Sequence, residues 1–286
     1  MREGGPGLIA GLVAAVASAA AINLGYLLQH SALGDIVVLG RGRAALLRAS
    51  FRSRRWRRGQ ALGIGGFAVQ VAAVAVAPLS LVQAFAAGGL ALSVPLASRL
   101  FGHTVTRREA VAVGAMAAAL AVLPLGLPDR REQLHELIFY ATMLPLLVAA
   151  VTCASRTSAA VRAVGAGLAY GVGDAAVKAL SVRWSAQGVA ALLSPWTALF
   201  LAGTLTGFIG LQGALREAGP VTAVSLMTAF ATLVSVMGGL VAFGESFGTQ
   251  ASTVVLHGAA VVIVLACVRP LAAAQAEIDK HTHTEV

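Results

Sequence analysis

Nine runs of apolar residues divide the chain: Gly7–Gln29, Gln60–Pro78, Ser80–Leu100, Ala110–Leu127, Glu136–Cys153, Val161–Ser181, Pro195–Leu215, Pro220–Phe243 and Ala251–Val268. Roughly 20 apolar residues in a helix cross a hydrocarbon core of about 30 Å. Several runs are hydrophobic all round and rich in Ala and Gly, with no polar face for water. The pattern predicts an all-α integral membrane protein with about nine transmembrane helices. Membrane helices pack through small residues that let backbones approach, and the 32 Gly fit a tight bundle.

Composition agrees. Of 286 residues, 58% are hydrophobic and 12% are charged, whereas a soluble domain carries roughly 25% charged residues. The net charge of +9 invites a nucleic-acid partner, but eight of the 19 Arg lie between Arg41 and Arg58, beside a span. Positive residues there hold a loop in the cytoplasm, so no nucleic-acid partner is expected. With the N-terminus outside and the C-terminus inside, sixteen Lys and Arg fall on the cytoplasmic side and four outside. The loop from Ile36 to Trp56 interleaves Arg with Leu39, Leu46, Leu47, Phe51 and Trp56. It is either a short amphipathic helix on the cytoplasmic membrane surface or a solvated basic loop. No basic segment and small-residue cleavage site surround the first run, which reads as a retained span. Cys153 and Cys267 have no metal or disulfide spacing, and no cofactor is expected.

A shift of 142 residues superposes two stretches without a gap: Pro78 on Pro220, Val82 on Val224, Ser93 on Ser235, Val94 on Val236, Phe101 on Phe243 and Gly102 on Gly244. In this topology the first member runs inward and the second outward. The chain therefore reads as two inverted-topology repeats, the architecture of many secondary transporters. The N-terminal repeat covers residues 7–127, with four helices and a basic cytoplasmic loop at 30–59. The C-terminal repeat covers 136–268 with five helices, and 269–286 is a cytoplasmic tail.

The stretch GLVAAVASAAAINLGYLLQ (Gly11–Gln29), Trp56, Ala77-Pro78-Leu79-Ser80-Leu81-Val82 and Gly89-Leu90 resemble the NIPA-like branch of the drug/metabolite transporter (DMT) superfamily, related to EamA-type transporters. So do Gly173 and Lys178, Gln212 to Leu215, Pro220 and the exit Phe243-Gly244-Glu245. The resemblance runs from about Gly7 to Val268. It implies nine spans, with the basic loop in place of the second helix of a five-helix repeat, and it implies membrane transport, of Mg²⁺ in eukaryotic members. The chain departs from that pattern where Phe67 replaces an acidic residue of the second span, Gln70 stands at an Asn position and His103 stands where an acidic residue follows the third span. A hard dication needs oxygen ligands, preferably carboxylates, so a tight midplane Mg²⁺ site is not expected.

One acidic residue lies well inside a span. Asp174 is followed one turn later by Lys178, on the same helix face, where opposite charges pair. Ionisable groups inside a bilayer mark function by default; the alternative is a structural pair, with Lys178 snorkelling outward. Asn23, Tyr26, Gln70, Gln83, Tyr170, Gln212, Ser225, Thr228 and His257 also lie in or near spans. Singly each suits a helix–helix hydrogen bond; together they supply the lining of a polar cavity. Asp174, Lys178, Asn23, Gln70, Gln83, Tyr170, Gln212, Ser225 and His257 are the candidate substrate-binding residues, and no metal ligands are expected. Gly171-Val172-Gly173-Asp174 matches the GxGD of intramembrane aspartyl proteases, but Asp35, Asp129 and Asp279 lie outside the spans, and that chemistry needs two carboxylates. With neither HExxH nor GxSxG present, an enzyme is not expected.

The expected function is a secondary transporter in the plasma membrane that moves a small polar or amphipathic metabolite by alternating access. The alternatives are a NIPA-type divalent-cation transporter and a non-transporting membrane scaffold. The partners expected are the lipid bilayer and a small-molecule or ion substrate, and a homodimer is compatible with the pattern.

Overall fold

The computed structural model describes residues 4–37, 52–101, 105–123, 133–245 and 250–284. All regular structure among them is helical: α1 (Gly4–Val37), α2 (Arg54–Val76), α3 (Leu79–Phe101), α4 (Arg107–Val122), α5 (Glu136–Ala154), α6 (Ala159–Gln187), a 3-10 turn (Gly188–Leu193), α7 (Pro195–Ala242) and α8 (Ala251–Thr284). Five stretches are long and apolar enough to cross a bilayer: Gly7–Gly25, Arg54–Val76, Glu136–Ala154, Ala223–Ala242 and Ala251–Leu271. Large apolar side chains point outward, including Leu137 at 83% exposure and Ile64, Val148, Ile209 and Val262 at 63–64%. The interior is packed largely with Ala. Greasy outside and small inside is the distribution a lipid solvent favours, and in water such a surface would associate. The chain is an α-helical, membrane-embedded protein.

Helix ends follow local chemistry. Ser53 caps α2 by accepting from the Trp56 N–H, and Thr106 with Glu109 forms a reciprocal capping box on α4, satisfying N–H groups that a first turn leaves bare. The extended Ala77 and the ring of Pro78, which cannot continue a hydrogen-bonded helix, separate α2 from α3. α1 continues past Gln29 to Val37, and α2 begins at Arg54, so both ends of the expected 30–59 loop are helical; residues 38–51, with most of the expected amphipathic segment, lie outside the described residues. The expected tail is also helical through Thr284, since Ala272-Ala273-Ala274-Gln275-Ala276-Glu277 consists of strong helix formers.

The expected spans Pro195–Leu215 and Pro220–Phe243 fall in one element, α7, and its packing shows that it doubles back. Along its first half a Cβ at Gly203 would fall 2.6 Å from the Ala169 carbonyl, one at Gly207 would meet Tyr170, and one at Gly213 would meet Arg162. That order is antiparallel to α6. In the second half, Met227 and Phe230 lie against Gly167 and Val234 lies against Gly171, an order parallel to α6. The reversal falls between Gly213 and Met227. Gly203 touches the α6 backbone so closely that Gly203→Ala would force the helices apart. We expect a loss of about 1–3 kcal/mol, the range for overpacking a tight interior, read by unfolding of the purified protein in detergent.

The same contacts orient the other helices. Gly11 meets Ala77 and Gly25 meets Gly59, so α1 and α2 are antiparallel; Gly89 meets Ala19 and Asn23, so α3 runs with α1. Lys178 reaches Val74 and Ala77, while Phe67 stacks on Phe200, whose carbonyl lies beside Gly173. α6 therefore runs with α2. It follows that α3 and the second half of α7 run in opposite directions. α8 leaves the C-terminal helices to build a core with α3 and α4, through Leu81, Met116, Val264 and Leu271. The starts of α2, α4 and α6 share one end of the bundle, which gathers Arg54, Arg55, Arg57, Arg58, Arg107, Arg108 and Arg162.

Candidate functional site

At the break between α2 and α3 two charged side chains arrive from the C-terminal helices. Lys178, 2% exposed, donates from Nζ to the carbonyl oxygens of Val74 (2.9 Å) and Ala77 (2.8 Å). Glu245 accepts from the backbone N–H groups of Leu79 and Ser80, the latter at 3.0 Å. A helix C-terminus carries partial negative charge and an N-terminus partial positive charge. The cation thus sits on the end of α2 and the carboxylate on the start of α3, each matching the sign it meets. Gly244 makes this reach available: its φ of 64° is a conformation that glycine adopts without a Cβ clash, and it turns the chain so that the Glu245 N–H donates to the Gly239 carbonyl. Gly239 has no room for a side chain, since a Cβ there would overlap the Glu245 carboxylate. The segment before α5 joins the same knot, Gln133 and His135 donating their N–H groups to the carbonyls of Phe243 and Ala242.

This geometry changes the expected Asp174–Lys178 pairing. Lys178 spends its charge on the end of α2, and Asp174 forms no hydrogen bond or ion pair among the described residues. The i, i+4 spacing places both residues on one face of α6, the face turned to α2, with Asp174 a turn deeper. Because α2 and α6 run parallel, the turn of α2 at that depth holds Gln70, which is buried. Close by, Phe67 of α2 stacks on Phe200 of α7 at 5.8 Å and 12°, and Thr204 lies beside Gly173. Asp174 is half-buried. Asp174 thus has no hydrogen-bond or ion-pair partner among the described residues, one turn from the Lys178 contact with the end of α2.

Beyond Lys178 lies an aromatic cluster. Trp196, 1% exposed, packs edge-on against Phe139 at 4.6 Å and flat on Tyr140 at 4.7 Å, with Phe243 beside Phe139. Arg183 lies over the Trp196 ring and pairs with Glu136.

The other expected site residues are dispersed. Asn23 donates to the Ala19 carbonyl and packs on Gly89. Tyr170 lays its ring on Gly207. His257 joins α8 to the end of α4, its ring nitrogens lying 2.7 Å from the Thr253 carbonyl and 2.9 Å from that of Leu123; this is a helix-to-helix staple. Gln83 is buried on α3 and its Nε2 has no hydrogen-bond partner among the described residues, and the same holds for the hydroxyls of Ser18, Ser225 and Ser235. Ser225 faces away from α6, in a cleft against α8. Gln212 is in the first half of α7, and its side chain lies outside the described residues, as does His103. Among the described residues no three His, Cys, Asp or Glu side chains gather in a group that could hold a metal ion.

Compared with known proteins, the chain matches no family model, no curated protein and no solved structure. Two contributors to the site escaped the sequence reading. Glu245 was noted only as part of an exit motif, although a glycine followed by a carboxylate after a long apolar run signals a helix end with a charge to place. Phe200 gave no signal, because an aromatic residue in an apolar run reads as core.

Proposed function

We propose that this protein is a secondary transporter that carries a small polar or amphipathic solute across the membrane by alternating access, with Asp174 at the centre of its pathway. The observation that carries this reading is the unpartnered polar chemistry of the interior: the Asp174 carboxylate, Gln83 Nε2 and the hydroxyls of Ser18 and Ser235. Inside a bilayer an unsatisfied polar group costs several kcal/mol, so a scaffold whose polar residues served only packing would pair them. A pathway for a hydrated or polar solute gives them partners in use.

In this reading the nine expected spans form two inverted repeats. The opposite directions of α3 and the second half of α7 support it, since the shift of 142 residues superposes these two helices. The resemblance to NIPA-like members of the DMT superfamily, which implies nine spans and transport, points the same way. A Mg²⁺ cargo is the second reading and rests on that resemblance alone; Phe67, stacked on Phe200, stands where those members carry an acidic residue in the second span. The GxGD motif has no second aspartate in a span, so the reading is not enzymatic.

The proposal puts the Arg-rich end in the cytoplasm, in the plasma membrane, with the N-terminus outside. Single cysteines at the exposed positions Arg58 and Gln187, in a chain whose Cys153 and Cys267 are replaced by Ala, test it. In intact cells an impermeant maleimide is expected to label Gln187→Cys and to spare Arg58→Cys until the membrane is opened; the reverse pattern would sink the orientation. The transport reading itself is tested by a thermal-shift screen of metabolites and divalent cations, followed by uptake of the best stabiliser into proteoliposomes. Stabilisation by a small polar metabolite with saturable uptake is expected. Stabilisation by Mg²⁺ alone would favour the second reading, and no uptake of any stabiliser would favour a scaffold.

A further inference from the structure

A cleft of about 280 Å³ opens on the side of the bundle between the second half of α7 and α8, lined by Ser225, Leu226, Ala229, Leu265, Val268 and Arg269. We propose that it binds an anionic phospholipid, with the phosphate between Arg269 and Ser225 and an acyl chain along the four apolar residues. The site is separate from the pathway around Asp174. Met227, Phe230 and Val234 turn to α6, whereas Ser225 and Ala229, one turn apart, share another face.

Two polar groups mark the headgroup position. Ser225 is 8% exposed, yet its Oγ has no hydrogen-bond partner among the described residues. A buried hydroxyl in an apolar wall is costly unless something accepts from or donates to it. Arg269 is exposed at the rim and forms no hydrogen bond or ion pair among the described residues. A guanidinium is the side chain best matched to a phosphate, which it binds in a bidentate fork.

The occupant is a lipid because of what surrounds those two groups. The rest of the lining is aliphatic and offers a free anion nothing. The flanking surface faces hydrocarbon, with Leu233, Val262 and Ile263 at 44, 64 and 41% exposure. α8 starts at the end where His257 meets Leu123, so Arg269, twelve residues further on, lies toward the Arg-rich end of the bundle. Basic pockets between membrane helices at such an end take anionic headgroups, and a cation beside the bound headgroup contributes about a fivefold preference.

The test uses full-length protein purified in detergent, stripped of lipid, and titrated with phosphatidylglycerol or phosphatidylcholine while native mass spectrometry counts bound lipid. The wild type is expected to retain phosphatidylglycerol preferentially. Arg269→Gln should weaken that retention about fivefold without changing phosphatidylcholine. Arg269→Lys should recover part of it, and Ala229→Phe, which fills the cleft, should weaken both lipids. Arg107→Gln/Arg108→Gln, which removes two exposed cations at the same end, should leave retention unchanged. The proposal is overturned if that double variant matches Arg269→Gln, if Arg269→Gln binds like wild type, or if inorganic phosphate displaces the lipid. Melting of each variant without lipid identifies one that has not folded; Arg269→Gln and Arg269→Lys alter an exposed side chain and keep the decision available should Ala229→Phe fail.

Discussion

Lys178→Met is expected to destabilise the protein by about 3–5 kcal/mol, the range for removing one partner from a buried charged interaction. The substitution keeps most of the side-chain volume but withdraws the donor from the carbonyls of Val74 and Ala77. Both acceptors are then left without that bond, at about 1–3 kcal/mol each. The effect reaches beyond the lysine, because Glu245 holds the neighbouring start of α3 and both side chains fix one junction. Glu245→Gln should therefore cost less in the Lys178→Met background than in the wild type. The decisive comparison is with Asp174→Asn. If the aspartate were the lysine's partner, removing its charge would rescue Lys178→Met. We expect no rescue: in detergent unfolding the double variant Asp174→Asn/Lys178→Met should be as unstable as Lys178→Met. A double variant restored to wild-type stability would show that the two charges are coupled.

The second large effect is on transport. Asp174→Asn is expected to reduce uptake to that of empty liposomes while leaving the melting temperature unchanged or raised. Desolvating a carboxylate that has no partner opposes folding, and a neutral amide of nearly the same shape removes that cost. Loss of function with retained stability separates a solute- or proton-binding carboxylate from a structural one. Gln70→Leu, in the facing turn of α2, should lower uptake less, since an amide contributes a hydrogen bond and no charge. An Asp174→Asn protein that transports at the wild-type rate would remove the carboxylate from the pathway.

Hydrophobicity placed the helices well because lipid imposes a length on any apolar segment. Glu136–Cys153 is α5 to within a residue, and Ser80–Leu100 is α3 with one residue added at each end. The border of α8 moved outward along an Ala-rich stretch of strong helix formers, and that of α2 moved back to Arg54, where Ser53 supplies a cap. Nine spans and two repeats remain part of the proposal; five stretches meet the length and hydropathy of a span. The site was half legible. Helical periodicity put Asp174 and Lys178 on one face, which is correct, but periodicity gives a direction and not a neighbour. The acceptors of Lys178 lie 101 and 104 residues away, on a helix end created by Pro78. Polarity in an apolar run says only that a partner is needed: His257 finds its partners in the carbonyls of Thr253 and Leu123, whereas Ser225 faces a cleft against α8.

The helix most enclosed by others does not by itself meet the requirements of a span. α6 carries Asp174 and Lys178 and is absent from the stretches that meet the requirements of a span. A ribosome-bound chain ending near Gln187 would have to place Asp174 in lipid, at about 2.5–3.5 kcal/mol near the bilayer centre, with Lys178 a turn closer to the surface. Val164, Leu168, Val172, Val177 and Leu180 return only about 0.3–0.6 kcal/mol apiece. The balance turns favourable once α7 has been made, because its doubled-back halves cover two sides of α6, while the end of α2, already in place, accepts the lysine. The order of synthesis therefore matters: α6 must wait at the insertion machinery for the helix that follows it, and membrane entry and tertiary packing become a single step for this part of the chain.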